Sequence, residues 1–433
     1  MKTTKCFFID NFLSVCITFF LLLSANYVLA VKNQSLPNNG DSENYIEYKG
    51  LIVDRKTGEH LAFASINVIG TNVSIVSNSE GQFLLKLSKE NLNPKVLVSF
   101  IGYKNKVVLL ADLKPEKMRI ELDPTAIQLP ELSVTSRDAA ELMRAVMEKK
   151  GENYFDTQTM MTAFYRETIK KNKSYASLSE AVVEVNKQPY TSFKTDIVRL
   201  FKSRKKTDYT KLDTLTFKLM GGPFNSLYLD VMKYPDVLFT EDMMANYEFT
   251  FDRSTYIDKS MIYVIDFKQR SGKTEPLYYG KLYVDAQTLA LKSVVFRLNI
   301  TNKEEAANMF IIRKPVNARV YPIEAKYRMD YREKNGKWYY GYSRIELGLK
   351  VIWKKKLFNT NYFSTVEMAV TDWGENAEKK SIAFKDRIKP TVIIIDEASG
   401  FSDLQFWGEF NVIEPEKSIE TAIKKIQKQL EKK

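Results

Sequence analysis

Glu180 and Glu184 share one face of a strand predicted over Tyr175–Val185. Paired carboxylates are the acid–base machinery of glycoside hydrolysis. Four residues of extended chain span about 13 Å, so this pair needs another acid folded close before it can work. The residues by themselves favour a solvated or inner-sheet polar role. A second acidic group, Asp396, Glu397, Asp403 and Glu409, lies around the aromatic stretch Phe401–Phe410. It lacks the D-x-[DN]-x-[DN]-G spacing of a calcium loop, and packing of this tail onto a sheet is the expectation. Gly272-Lys273-Thr274 has the end of a phosphate loop, but Phe267 stands where that motif needs its first glycine. The segment also lies between two strands, with no helix start to hold phosphate.

The single histidine, His60, is predicted in an exposed turn, Thr57-Gly58-Glu59-His60-Leu61. A histidine triad or multi-histidine zinc site has too few residues to form. Cys6 and Cys16 are the only cysteines. Both fall in an N-terminal stretch with the marks of a secretory signal: Lys2 and Lys5, an apolar run Phe12–Leu23, and a small-residue cleavage site Val28-Leu29-Ala30. Cleavage there leaves a mature chain from Val31 without disulfides, thiolate metal sites, a cysteine nucleophile or a lipid-anchored cysteine. No catalytic, cofactor-binding or metal-binding residue is assigned, and no cofactor is expected.

The 433 residues carry a formal charge of +12, and +11 once Lys2, Lys5 and Asp10 leave with the signal. The densest basic cluster, Lys202, Arg204, Lys205 and Lys206, is predicted as a solvated loop beside Thr207-Asp208. Zinc-finger spacing and RNA-binding aromatic motifs are missing, so nucleic acid is not an expected partner. No later segment has enough consecutive apolar residues for a membrane helix.

The elements that must position these residues are mostly strands. After a flexible polar leader, 31–44, seven short strands are predicted at Tyr48–Val53, Ala64–Ile69, Val73–Asn78, Gln82–Leu87, Val96–Ile101, Lys106–Leu110 and Lys117–Leu122. Glycine turns separate them, and their spacing predicts a small sandwich over 45–125. A linker follows at 126–137. An amphipathic helix is predicted over Asp138–Lys150, capped by Ser136 and ended by Gly151. From Met160 to about Trp373 the chain alternates again, predicting an antiparallel meander of nine or more strands, with Asn335-Gly336 as a hairpin turn. A second helix is expected near Lys417–Lys432. The 24 Tyr, 26 Phe and 4 Trp suit half-buried strands. The 160–373 sheet is expected to twist into a concave aromatic face open to a partner or apolar ligand.

Gly50, Asp54, Thr57, Gly58, Gly70, Gly81, Phe83, Gly102 and Tyr103 carry a further signal. With the intervening apolar positions they make 48–122 resemble the carboxypeptidase-regulatory-like domain, a transthyretin-like sandwich of secreted Bacteroidetes proteins. The family usually has Thr-Asp or Thr-Asn before its E-G-x-F turn, where this chain has Ser77-Asn78. The resemblance implies the sandwich fold and no peptidase activity, since zinc ligands in metallocarboxypeptidases lie outside such domains. Leu129–Ser136 is similar to the segment after this domain in TonB-dependent receptors, although no plug or barrel follows. Gly280–Asp285 with Thr288 and Leu291 is similar to a hairpin of LolA-like lipoprotein carriers. Phe164-Tyr165-Arg166-Glu167 and Phe406-Trp407-Gly408-Glu409-Phe410-Asn411 resemble an uncharacterised family with the same first domain.

The fold expected is mainly β: a seven-stranded sandwich over 45–125, then an antiparallel sheet domain over 138–433 with flanking helices. The leading expectation is an exported protein of the periplasm or outer-membrane surface that binds or assembles envelope protein, glycan or lipid without intrinsic catalysis. A periplasmic carrier of lipid or other apolar cargo, and a carboxylate-based hydrolase acting on glycans, are the alternatives.

Overall fold

The computed structural model describes residues 18–21, 44–90, 94–112, 115–125, 138–207, 217–311, 314, 316–354, 359–378, 380–400 and 406–421. Strand β1 (Thr18–Leu21) pairs antiparallel with β12 (Phe217–Met220). The rest of the expected signal, the leader up to 43, the linker 126–137 and most of the C-terminal helix lie outside the described residues.

All seven strands of the sandwich form: β2 (Tyr45–Asp54), β3 (Ser65–Val68), β4 (Ser74–Val76), β5 (Gln82–Ser88), β6 (Lys95–Ser99), β7 (Lys106–Leu109) and β8 (Met118–Leu122). They make two sheets, β5-β2-β8 and β4-β3-β6-β7. The inward positions, among them Ile52, Ile66, Leu85, Val98 and Ile120, close one apolar core between the sheets. The D-x-x-T-G motif is a turn built by Asp54, whose Oδ1 accepts the amides of Lys56 (2.6 Å) and Thr57 (2.8 Å). Tyr103 from the distant I-G-Y motif donates its hydroxyl to Asp54 Oδ2 at 2.8 Å. These hydrogen bonds hold the Asp54 carboxyl below its usual range.

Gly81 sits at φ 74°, and a Cβ there would meet Ile52 O at 2.9 Å. A β-branched side chain at this φ strains the backbone. Gly81→Val is therefore expected to lower stability by roughly 1–3 kcal/mol. Urea unfolding followed by hydrogen exchange at the sandwich strands β2 and β5 reads this, and an unshifted midpoint there would refute the turn assignment.

The second unit opens with a helix, Ala139–Glu148, which buries Ala139, Leu142, Met143 and Val146. Its cap is Asp138, whose side chain accepts from Ala140 N, rather than Ser136, which lies outside the described residues. Gly151 does not end the helix. It falls inside a further turn, Lys150–Asn153, anchored where Asn153 Nδ2 donates to Thr288 O (2.9 Å).

A twelve-stranded sheet follows, built from β9 (Thr159–Lys171), β10 (Ser174–Lys187), β11 (Ile197–Thr207), β13 (Tyr247–Phe251), β14 (Thr255–Ile257), β15 (Ser260–Gln269), β16 (Tyr278–Asp285), β17 (Leu291–Leu298), β18 (Ala318–Lys334), β19 (Lys337–Trp353), β20 (Thr360–Glu375) and β21 (Ser399–Gly400). The spatial order is β13-β15-β16-β17-β18-β19-β20-β9-β10-β11-β21, with β14 also on β15. It is two meanders joined side by side: β9–β11 are laid first, and β13–β20 return to pair β20 with β9. Asn335 and Gly336 have φ 53° and 79°, the positive pair a two-residue hairpin requires. The basic cluster expected in a loop is part of β11.

One face of this sheet carries the main core. Tyr247, Phe267, Phe296, Tyr327 and Met329 are buried there. Residues of Ala139–Glu148, Pro223–Leu227 and Lys303–Phe310 complete the same core. The aromatic face expected to stand open is thus filled by helices: these side chains bury more apolar surface against neighbours than an open groove would allow.

Candidate functional site

The opposite face carries a line of charge. Alternation along β9 puts Phe164 and Arg166 on this face, and Tyr165 and Glu167 on the core face. The pairing registers place Arg204, Glu180, Arg166, Glu367 and Arg344 directly opposite one another on β11, β10, β9, β20 and β19. The signs alternate across five adjacent strands.

Arg166 Nε donates to Glu180 Oε1 at 2.7 Å and its Nη1 to Glu367 Oε1 at 3.2 Å. Arg204 Nε reaches Glu180 Oε2 at 2.8 Å, and Arg344 Nη1 reaches Glu367 Oε2 at 2.6 Å. Arg328, opposite Arg344 on β18, has its own partner in Asp330 at 2.6 Å. Burial pushes the Glu180 carboxyl up, but the guanidiniums of Arg166 and Arg204 outweigh it and hold the group below its usual range.

Two covers lie over this ladder, leaving a cavity of about 30 Å³ lined by Arg166, Arg344, Glu367 and Glu416. The first is the C-terminal segment. Trp407 meets Phe164 edge-on, ring centroids 5.4 Å apart, with Arg204 stacked 4.9 Å from its own ring. Arg166 Nη2 donates to Ile413 O at 2.8 Å. The segments 164–167 and 406–411, singled out in the sequence, therefore meet. The second cover is the sandwich. Phe63 stacks on Tyr342 at 5.6 Å, with Arg344 and Arg328 at 5.2 and 5.3 Å from its ring. Val76 and Leu84 join Phe164, Val182, Tyr342, Trp407 and Ile413 in one buried cluster.

The sandwich also grips the C-terminal segment directly. Asn411 accepts from Lys86 N (2.7 Å) and donates to Lys86 O (3.0 Å), using its amide as a stand-in for a neighbouring strand along β5. Asn78 donates to Glu414 O at 3.1 Å, and Glu80 accepts from Lys417 N at 3.2 Å. A carboxylate at 78 has no hydrogen to give Glu414 O, which gives the Asn of Ser77-Asn78 a physical reason. At the far end of the sheet, Gly102 N donates to Tyr256 O (2.8 Å) and Asp258 N to Tyr103 O (3.0 Å), so the I-G-Y loop rests on β14.

The core face holds a second ionic cluster. Lys187 Nζ lies 2.8 Å from Asp196 Oδ2 and 2.9 Å from Asp230 Oδ2. Burial disfavours its charge, yet the two aspartates prevail and raise its pKa. Tyr331 donates to Asp230 Oδ1 at 2.8 Å. Beside it Lys233, held by Pro189 O at 2.6 Å, is pushed down to about 8 by burial.

Glu167 differs from these acids. It is buried and takes a hydrogen bond from Tyr165 OH at 2.8 Å, and no ion pair to it forms among the described residues. Burial, and then the nearby charge of Asp396, push its pKa up to about 7 from 4.5, against the hydrogen bond from Tyr165. The folded protein binds a proton here that the unfolded chain has released, so stability is full below about pH 4.5 and is lost as pH rises through about 7. Glu167→Gln is expected to gain on the parent by on the order of 2–3 kcal/mol between about pH 5 and about pH 8. Urea midpoints across that range read it; a constant difference would show that Glu167 titrates normally.

Glu167 and Glu180 have opposed shifts, as an acid–base pair needs, but they lie on opposite faces of the sheet and both are sealed. Glu184 pairs with Arg199 on β11. His60 is exposed, and Gly272-Lys273-Thr274 forms the surface loop between β15 and β16, with Gln269 Nε2 donating to Lys273 O at 3.0 Å. Asp396 and Glu397 are exposed on the helical turn Ile394–Glu397, Glu409 lies in a turn, and Asp403 is outside the described residues. Among the described residues no three His, Cys, Asp or Glu are grouped to hold a metal ion, and no helix is long and apolar enough to cross a membrane.

Residues 48–134 match the family CarboxypepD_reg-like domain. This part of the chain is a CarboxypepD_reg-like domain. No curated protein matched the sequence. Among solved structures, a DUF1329 family protein from Desulfovibrio piger is similar at 10% identity and a TM-score of 0.24, over 56% of this chain and 95% of that one. A LolA superfamily protein from Nitrosomonas europaea is similar at 9% identity and a TM-score of 0.22, over 58% and 99%. Lipovitellin is similar at 8% identity and a TM-score of 0.25, over 54% and 27%. Likenesses this remote carry no functional argument. Beyond the CarboxypepD_reg-like domain, the function has to be read from the chain's own residues.

Proposed function

We propose that this protein is an exported binding or assembly module of the cell envelope that acts without intrinsic catalysis. One observation carries the reading: apart from Glu167, the acids of the two buried clusters are spent on arginine or lysine. Glu180 and Glu367 are each committed to two arginines, Asp196 and Asp230 share the Lys187 ammonium, and carboxylates held by such cations are poor bases. Export is supported by the N-terminal apolar run and its small-residue cleavage site, and by the confinement of both cysteines to that stretch. The domains proposed are the signal over 1–30, the CarboxypepD_reg-like sandwich, a linker over 126–137, and the sheet unit from 138 onward.

Cleavage after Ala30 predicts that N-terminal sequencing of the native protein begins at Val31. An intact Met1 terminus in a cytoplasmic fraction would end the export reading. The non-catalytic reading is checked with peptide and glycan libraries. Turnover that persists in His60→Ala and disappears in Glu167→Gln would reverse it in favour of carboxylate chemistry.

A further inference from the structure

The basic cluster on β11 lies on a rim with an unusual surface. Residues 193–206 and 380–389 carry ten lysines and arginines against two acids, Asp196 and Asp386. The two segments meet where Ile388 N donates to Val198 O at 2.9 Å and Arg199 bridges Arg387. Asp196 is buried against Lys187 and offsets nothing outside. Arg204, Arg199 and Lys380 have carboxylate partners in Glu180, Glu184 and Glu378. Lys194, Lys202, Lys206, Lys385, Arg387 and Lys389 have no carboxylate partner among the described residues.

Apolar rings stand between these cations. Phe193, Phe384 and Phe201 are 104%, 84% and 51% exposed, and they are the exposed phenylalanines of the described residues. Arg387 lies 5.7 Å from the Phe384 ring and Arg199 6.0 Å from that of Phe201. Phe201 packs against Phe410, ring centroids 5.2 Å apart, while Phe193 and Phe384 stand in water, which is unfavourable for a free surface and marks an interface.

We infer that this rim docks the protein on an anionic lipid bilayer. Phenylalanines enter the boundary between headgroups and acyl chains, and lysines and arginines meet lipid phosphates. A soluble polyanion without rings or chains of its own to bury would use the cations and leave the phenylalanines in water. The inference stands on this surface and holds whether or not the protein is an enzyme.

The test is co-sedimentation of the full mature chain with vesicles of phosphatidylcholine, alone or with about a third phosphatidylglycerol. Binding is expected on the anionic vesicles only, weakening between about 0.05 M and about 0.5 M salt. Two exposed sets are then changed, Phe193→Ser with Phe384→Ser, and Lys194→Gln with Lys385→Gln and Lys389→Gln. Each set is expected to weaken binding by about tenfold or more at an unchanged melting temperature. No binding to anionic vesicles, or binding that ignores both sets, overturns the proposal. So does a single-stranded oligonucleotide that binds more tightly than the vesicles and loses affinity in the same variants, which would make the rim a nucleic-acid surface.

Discussion

Replacing Lys187 by Met is expected to cost about 3–5 kcal/mol, because it strands Asp196 and Asp230 together in the core. Both acids lie within 3 Å of the one ammonium that neutralises them, and Asp230 has no exposed surface. The cost falls on the segment after β12, where Asp230, Met232 and Tyr331 lock the turns of 221–240 onto β18 through Tyr331 OH. Adding Asp230→Asn to Lys187→Met should recover part of the loss, since Asn still accepts from Tyr331 and carries no charge. Urea midpoints for the single and double variants decide this. A double variant that is simply additive would mean that Lys187 and Asp230 do not interact.

The ladder on the opposite face gives the second large effect. Arg166→Met removes the middle cation, the Glu180 and Glu367 contacts and the hydrogen bond to Ile413 O at once. An expected loss of about 3–5 kcal/mol follows from two buried carboxylates left short of charge. Arg166→Met with Glu180→Gln should lose less than Arg166→Met alone, because Arg204 can still donate to the neutral amide. The change should also loosen the tail, so hydrogen exchange at Trp407–Ile413 should rise with little change at β6 or β7. Equal exchange in both places would make the effect one of global stability alone.

The two faces also explain what the sequence could and could not reveal. The sandwich was legible because its strands alternate over a few residues and several end at a glycine or an Asx turn, all local signals. The Asn335-Gly336 hairpin was legible for the same reason. The ladder was not: Arg166, Glu180, Arg204, Glu367 and Arg344 are aligned by register between strands up to 200 residues apart, which no local pattern encodes. A faint trace did exist, since each of these charges interrupts an otherwise buried strand, as in Phe164-Tyr165-Arg166-Glu167. Glu180 and Glu184 were read correctly as two acids on one face, and the inner-sheet role is the one Glu180 takes. The open aromatic face was misjudged because period-two alternation tells which residues share a face, and not what later covers it. Here the cover is supplied by short helices between strands, and the opposite face is covered by Trp407, 243 residues from the phenylalanine it meets.

Buried charge and the C-terminal segment fasten the sandwich to the sheet as one body. In a chain begun at Val31, which leaves out Cys6 and Cys16, two cysteines can be placed freely, at the exposed positions Lys56 on the sandwich and Lys268 on the sheet. Spin labels there should report one narrow distance distribution in the parent. It should broaden when Trp407→Ala and Asn411→Ala remove the grip on Phe164 and Lys86. A broad distribution in the parent, or a narrow one untouched by the two substitutions, would contradict this fastening.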